Sequence, residues 1–79
     1  MDIDTDKIDG YTLALLHLVI FDREDGVGGR AWKGFDWATM DRLHQQGYIG
    51  NPKGKAKSVS VTDEGVKKAE ELFQHLFGR

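Results

Sequence analysis

Residues 42–65, RLHQQGYIGNPKGKAKSVSVTDEG, decide the architecture of this 79-residue chain. Arg42 to Gln46 read as the end of a helix. Gly47 stands where a left-handed C-cap is wanted, and Tyr48 can fold back against the last turn. Tyr48–Gly50 reads as a short strand. The polar segment NPKGKAK (51–57) then turns the chain, with Pro52 and Gly54 serving the turn. In Ser58–Val61 the residues alternate, so Val59 and Val61 face inward while Ser58 and Ser60 face outward. Thr62 is a good N-cap, and Asp63 and Glu64 fall in the first turn of the next helix, at the positive end of its dipole. The order is helix, hairpin, helix, and the turn of the hairpin carries three lysines in five residues, Lys53, Lys55 and Lys57.

Upstream, Asp36 is placed to cap a helix that runs to Gln46, with Phe35 before it stapled onto Met40. Trp37, Met40, Leu43 and His44 share one face, which puts Trp37 in the core. Asp36, Ala38, Thr39, Asp41, Arg42, Gln45 and Gln46 share the outer face. A first helix is expected over Thr5–Phe21, capped by Asp4, Thr5 or Asp6, with Ile8, Leu15, Leu16 and Val19 as its periodic stripe. Leu13, Leu18, Ile20 and Phe21 make its second half apolar nearly all round, so it is either central or laid against a second subunit. Residues 22–35 hold four glycines and no helical period. They read as a loop with a short strand at Arg30–Lys33, and Asp22–Gly29 is the expected mobile part. Val66, Ala69, Leu72, Phe73, Leu76 and Phe77 supply the apolar face of the last helix, and Gly78 ends it.

One domain is expected from this length, with a core small enough to gain from sharing with another subunit. The absence of cysteine removes disulfides and thiolate zinc sites and fits a reducing compartment. The N-terminus, MDIDTDKID, is acidic where a signal peptide is basic, and the longest apolar run, Leu18–Phe21, cannot span a bilayer. A cytoplasmic protein without membrane attachment is the expectation. The net charge of −2 argues against a bulk polyanion binder, whose domain is usually clearly basic. The charge is nevertheless polarised. Residues 1–25 hold seven acids against two bases, and residues 30–57 hold six bases against two acids. Such a dipole can turn one face toward an anion.

Leu43-His44-Gln45-Gln46-Gly47-Tyr48-Ile49 resembles the recognition-helix exit of winged helix-turn-helix proteins. Val59-Ser60-Val61-Thr62-Asp63-Glu64-Gly65 resembles their second wing strand and the start of the helix after it, in the style of multiple-antibiotic-resistance regulators. The resemblance implies an α+β, winged-helix-like fold with three helices and a two- to three-stranded antiparallel hairpin wing. It also implies nucleic-acid binding, and dimerisation through the terminal helices. One departure stands out: a DNA-reading winged helix has two helices between its first helix and its wing, and here only Asp36–Gln46 fits that interval. The whole chain is also similar to a group of small uncharacterised bacterial proteins that share a DTDKID start, a GRAWKGFDW centre and a GKAKSV turn.

Two functions follow. In the first, Lys53, Lys55 and Lys57 with Asn51, Arg30, Lys33 and Arg42 meet phosphate, while Gln45 and its helix neighbours reach base edges. In the second, Trp32, Leu72, Leu76 and Phe77 form a contact surface for a protein partner or a second copy. The plain alternatives are an edge hairpin kept from aggregating by its lysines and tryptophans that close a small core. No metal or cofactor is expected. His17, His44 and His75 fall on separate helices, and Asp2-x-Asp4-x-Asp6 lacks the glycine and glutamate of a calcium loop. The glycines of 26–34 have no strand before them and no Lys-Ser/Thr after, so they are no phosphate loop. With no nucleophile–base pair in view, neither catalysis nor a small-molecule substrate is expected.

Overall fold

A computed structural model describes all 79 residues. Helix α1 (Thr5–Leu16) leads through a single 3-10 turn (His17–Val19) into strand β1 (Ile20–Glu24). Then come β2 (Gly28–Trp32), α2 (Trp37–Gln45), β3 (Ser58–Thr62) and α3 (Asp63–Phe77). The strands form one antiparallel sheet in the order β1-β2-β3, so α2 is inserted between two strands that lie side by side. The fold is α+β with three helices and a three-stranded antiparallel sheet, as expected, and its arrangement is compatible with a winged helix.

The caps explain where the helices begin. The Asp36 carboxylate accepts from Thr39 N (3.1 Å), and the Thr62 hydroxyl accepts from Gly65 N (2.9 Å). Asp4, one of three candidates, caps α1 by accepting from Lys7 N. Gly47 takes the left-handed conformation (φ 84°) that its C-cap position requires.

The first helix is shorter than expected. It ends at Leu16 rather than Phe21, because Ile20 and Phe21 are paired in a strand with Ala31 and Arg30. β-branched and aromatic side chains fit a pleated sheet better than a helix, and here a partner strand was available. For the same reason Asp22–Gly29 is not a loop. It closes a hairpin in which Val27 N donates to Glu24 O (3.0 Å), and Gly26 N donates to the Asp63 carboxylate (3.1 Å). The short strand expected at Arg30–Lys33 is β2, and it is the main partner of β3. Tyr48–Gly50 contributes only one bridge, Ile49 to Val61, on the other edge of β3, flanked by Gly50 N to Ser60 O (2.9 Å) and Thr62 N to Tyr48 O (3.0 Å).

The core lies between the inner sheet face and the helices and contains Leu13, Leu16, Ala31, Met40, Leu43, Ile49, Val59, Val61 and Ala69. Val59 and Val61 point inward and Ser60 outward, as the alternation demands. On α1 the buried positions are Asp9, Leu13, Ala14 and Leu16, so Ile8 and Leu15 are exposed instead of inward. Trp37 is also a correction, at 70% exposure. It occupies the first helical position, on the turn that projects past the core, while Phe35 and Met40 fill the space beneath. Two glycines permit close approach. A Cβ on Gly65 would overlap the Tyr48 carbonyl oxygen, and one on Gly28 would overlap that of Val61.

Candidate nucleic-acid interface

The loop 51–57 leaves the end of the sheet where Trp32 opposes Ser58. Its shape is held by Lys33, whose ammonium donates to the carbonyls of Pro52 (2.7 Å) and Gly54 (3.1 Å) while its backbone N–H donates to Lys57 O (3.1 Å). Asn51 tightens the first turn by accepting from Lys53 N (2.9 Å), and Pro52 is buried beneath. Lys53, Lys55 and Lys57 are left exposed on this frame, with no acid among the seven residues. Their charges therefore sum on one short segment.

Tryptophans stand beside both ends of the loop. Trp37 shares a shallow groove with Lys33, Phe35, Met40 and Pro52. Trp32 is 54% exposed on the outer sheet face, and its ring lies against Phe21 with centroids 4.9 Å apart and planes tilted by 34°. On the same face, Arg30 donates through Nε and Nη2 to the Ser58 hydroxyl (3.0 and 2.9 Å) and through Nη2 to the Ser58 carbonyl (3.2 Å).

The helix preceding the loop is arranged differently from the sequence reading. Arg42 turns toward α1, where Nε donates to both carboxylate oxygens of Asp9 (2.8 and 3.0 Å) and Nη2 lies 2.8 Å from Oδ1. Gln46 donates to the same carboxylate (3.1 Å), and Arg42 Nη2 reaches the Thr39 hydroxyl (3.1 Å). Asp9 is 3% exposed, so this ion pair joins α1 to α2 and is not a surface charge. The hydrogen bonds from Arg42 to Asp9 raise the guanidinium pKa, and those from the Thr39 hydroxyl and N–H hold the Asp36 carboxyl below its ordinary value. Thr39, expected on the outer face, is fully buried in this network. Gln45 is exposed on α2, with the acid Asp41 one helical turn before it.

Of the eight residues named for nucleic acid, the structure gathers Arg30, Asn51, Lys53, Lys55 and Lys57 at one end, with Lys33 spent on shaping the loop. Arg42 is diverted and Gln45 stands apart on α2. Of the residues named for a protein contact, Leu72 packs against the core and Leu76 is half-buried. Phe77 is exposed, edge-on to Tyr11 at 6.3 Å. Sequence reasoning missed two groups. One is Asp9, legible as the acid that shares the Leu13/Leu16 face at helical spacing. The other is Phe21, hidden by its assignment to a helix. No three His, Asp or Glu side chains converge as metal ligands would, and no helix is long and apolar enough to cross a membrane.

Residues 4–79 match the sequence profile of a family described as "Domain of unknown function (DUF6429)". The chain is 53% identical over 79 residues to "Uncharacterized protein y4hR" of Sinorhizobium fredii (strain NBRC 101917 / NGR234), and the match covers 100% of both chains. No solved structure matches it.

Proposed function

The chain belongs to the DUF6429 family, and from that premise we propose that it is a non-catalytic nucleic-acid-binding module of the cytoplasm, built on a winged-helix scaffold that lacks one helix. The observation that carries this reading is the acid-free loop of three exposed lysines, held in shape by Lys33 and bracketed by Trp32 and Trp37. An edge strand that only needed protection would not require its lysine loop to be clamped by a fourth lysine. Each phosphate neutralised releases counterions, so binding is expected to weaken steeply with salt. The test is a titration at low ionic strength with a random duplex and with a single strand, read by backbone amide shifts. Movement of residues 51–57, abolished by changing all three loop lysines to glutamine, is the expected result. If these amides stay still with both nucleic acids, the proposal fails.

A second reading, self-association, is favoured by a separate observation. Ile8, Tyr11 and Leu15 along the exposed side of α1, and Leu18 in the 3-10 turn after it, repeat at heptad-like spacing, and Phe77 extends the strip. A second copy related by a two-fold axis would lay this strip antiparallel on itself. The acids Asp2, Asp4 and Asp6 at one end would then meet the end carrying Arg23, whose guanidinium is held on the His17 carbonyl at 2.9 Å. Sedimentation at two concentrations should show a dimer for the natural chain and a monomer for Leu15→Glu. A monomer at every concentration ends this reading.

A further inference from the structure

Lysines on a loop attract any polyanion, but the surface next to them narrows the choice. The outer sheet face carries Phe21, Arg30, Trp32, Ser58 and Ser60. β1 also carries two acids, Asp22 in the bulge next to Phe21 and Glu24 beyond it, at the far end from the lysine loop. Phe21 backs the Trp32 ring on one side and leaves the indole half-exposed. Arg30 is held by Ser58 through Nε and Nη2, which leaves Nη1 outside those bonds. Beyond Ser58 the chain passes directly into Lys57, Lys55 and Lys53. A flat aromatic platform is thus continuous with a cationic track.

A base inside a duplex offers only its edges, whereas an unpaired base offers a π-face to an indole and leaves its phosphates free to follow the backbone. The element that would read a duplex is poorly suited to it here. Helix α2 is capped by the exposed Asp36 and carries the half-buried Asp41, and its only arginine is bound to the buried Asp9. Resting on the nucleic-acid reading above, we propose that the ligand is a single-stranded nucleic acid. Its bases stack on Trp32 over Phe21, beside Arg30, and its phosphates run along Lys57, Lys55 and Lys53. The chemistry shared by single-stranded DNA and RNA is what the surface fits.

The test uses the full chain at low salt, with fluorescein-labelled oligo-dT and oligo-U strands and a mixed-sequence duplex of equal length, read by anisotropy. At least one single strand should bind about tenfold tighter than the duplex, and the tighter of the two names the source. Trp32→Leu keeps an apolar cover on Phe21 but removes the extended π-face, so it should weaken single-strand binding about tenfold, within the range for one stacked base. Trp32→Phe should restore most of that loss. Circular dichroism of each variant confirms that it is folded. Changing all three loop lysines to glutamine should reduce the slope of log K against log salt by about 2, at about 0.7 per phosphate. Equal binding of duplex and single strand, or indifference to Trp32→Leu in a chain whose lysine variant has lost binding, overturns the single-strand assignment and leaves the broader reading standing. Absence of binding to all three probes overturns both.

Discussion

Replacing Gly65 by alanine should unfold this protein at a much lower temperature, although the residue sits in a helix that alanine favours. A Cβ at Gly65 would overlap the Tyr48 carbonyl oxygen and come within 2.8 Å of its carbon and 2.9 Å of Val61 Cγ1, where ordinary contact begins at 3.4 Å. Relief from the carbon alone needs a retreat of about 0.6 Å (3.4 less 2.8), and relief from the oxygen needs more. That retreat pulls Thr62 from the same carbonyl, which its N–H meets at 3.0 Å and its hydroxyl at 3.1 Å. The Thr62 hydroxyl also donates to Gly47 O at 2.8 Å, so the retreat loses about one hydrogen bond at about 1 kcal/mol. Overpacking against Tyr48 and Val61 adds about 2 kcal/mol, and the helix preference of alanine returns about 0.5–1 kcal/mol, for a net loss of about 2 kcal/mol. For a domain of this size that lowers the melting midpoint by about 8–16 °C. Gly10→Ala is the matched control, since a Cβ there meets nothing within 4 Å. It removes only the helix penalty of glycine and should raise stability by about 0.5–1 kcal/mol. Thermal melts followed by circular dichroism measure both. If Gly65→Ala melts within about 3 °C of the natural chain, a scale on which 1 kcal/mol moves the midpoint by more, α3 is not pinned to Tyr48 and the reasoning is refuted.

Other substitutions probe the remaining parts. Leu43→Ala empties a fully buried position and should cost about 2–5 kcal/mol by urea denaturation. Asp9→Ala strands Arg42 and Gln46 and should destabilise clearly more than Asp9→Asn, which keeps one acceptor for Arg42 and turns an N–H toward the Gln46 amide, whose oxygen can rotate to accept it; equal losses would deny the network its role. The pH dependence follows from Asp36 and Asp63. Thr39 lowers the pKa of the first, and Lys67, with help from Gly26 N–H, lowers that of the second. A carboxyl whose folded pKa is depressed contributes stability that is present above the ordinary aspartate value of 3.8 and is lost as pH falls through the folded value. Acid titration of stability should therefore be flatter below about pH 4 in Asp36→Ala and Asp63→Ala than in the natural chain. The reverse ordering would contradict these assignments.

Much of the fold was legible because capping and alternation are local. Asp36, Gly47 and Thr62 act where the sequence placed them, and Val59 and Val61 face the core as their period requires. Errors arose where a distant segment decided the outcome. Ile20 and Phe21 continue an apolar helical run, and nothing nearby says that Arg30 and Ala31 will draw them into a sheet. Trp37 lies on the apolar face by angle, but at the first turn of a short helix that angle points past the core. The lysines of the loop were visible as charge. Their neighbours were not, because the Phe21–Trp32 contact joins residues across a hairpin whose glycines, taken locally, predict a mobile loop. Arg42 shows the same limit, since its partner Asp9 lies 33 positions away.

Lys33 makes the lysine loop a preorganised element. Its ammonium fixes the carbonyls of Pro52 and Gly54 before any ligand arrives, so the conformational entropy of that segment is lost on folding and not on binding. Its positive charge is directed inward at carbonyls, and it is therefore a poor phosphate contact even though it belongs to the basic cluster by sequence. If the loop binds nucleic acid as proposed, neutralising Lys33, by substitution with methionine or by acetylation, lowers affinity while leaving the salt dependence almost unchanged. The loss of an outward lysine lowers both. A single lysine in this cluster can thus set how ready the loop is without taking part in what it holds.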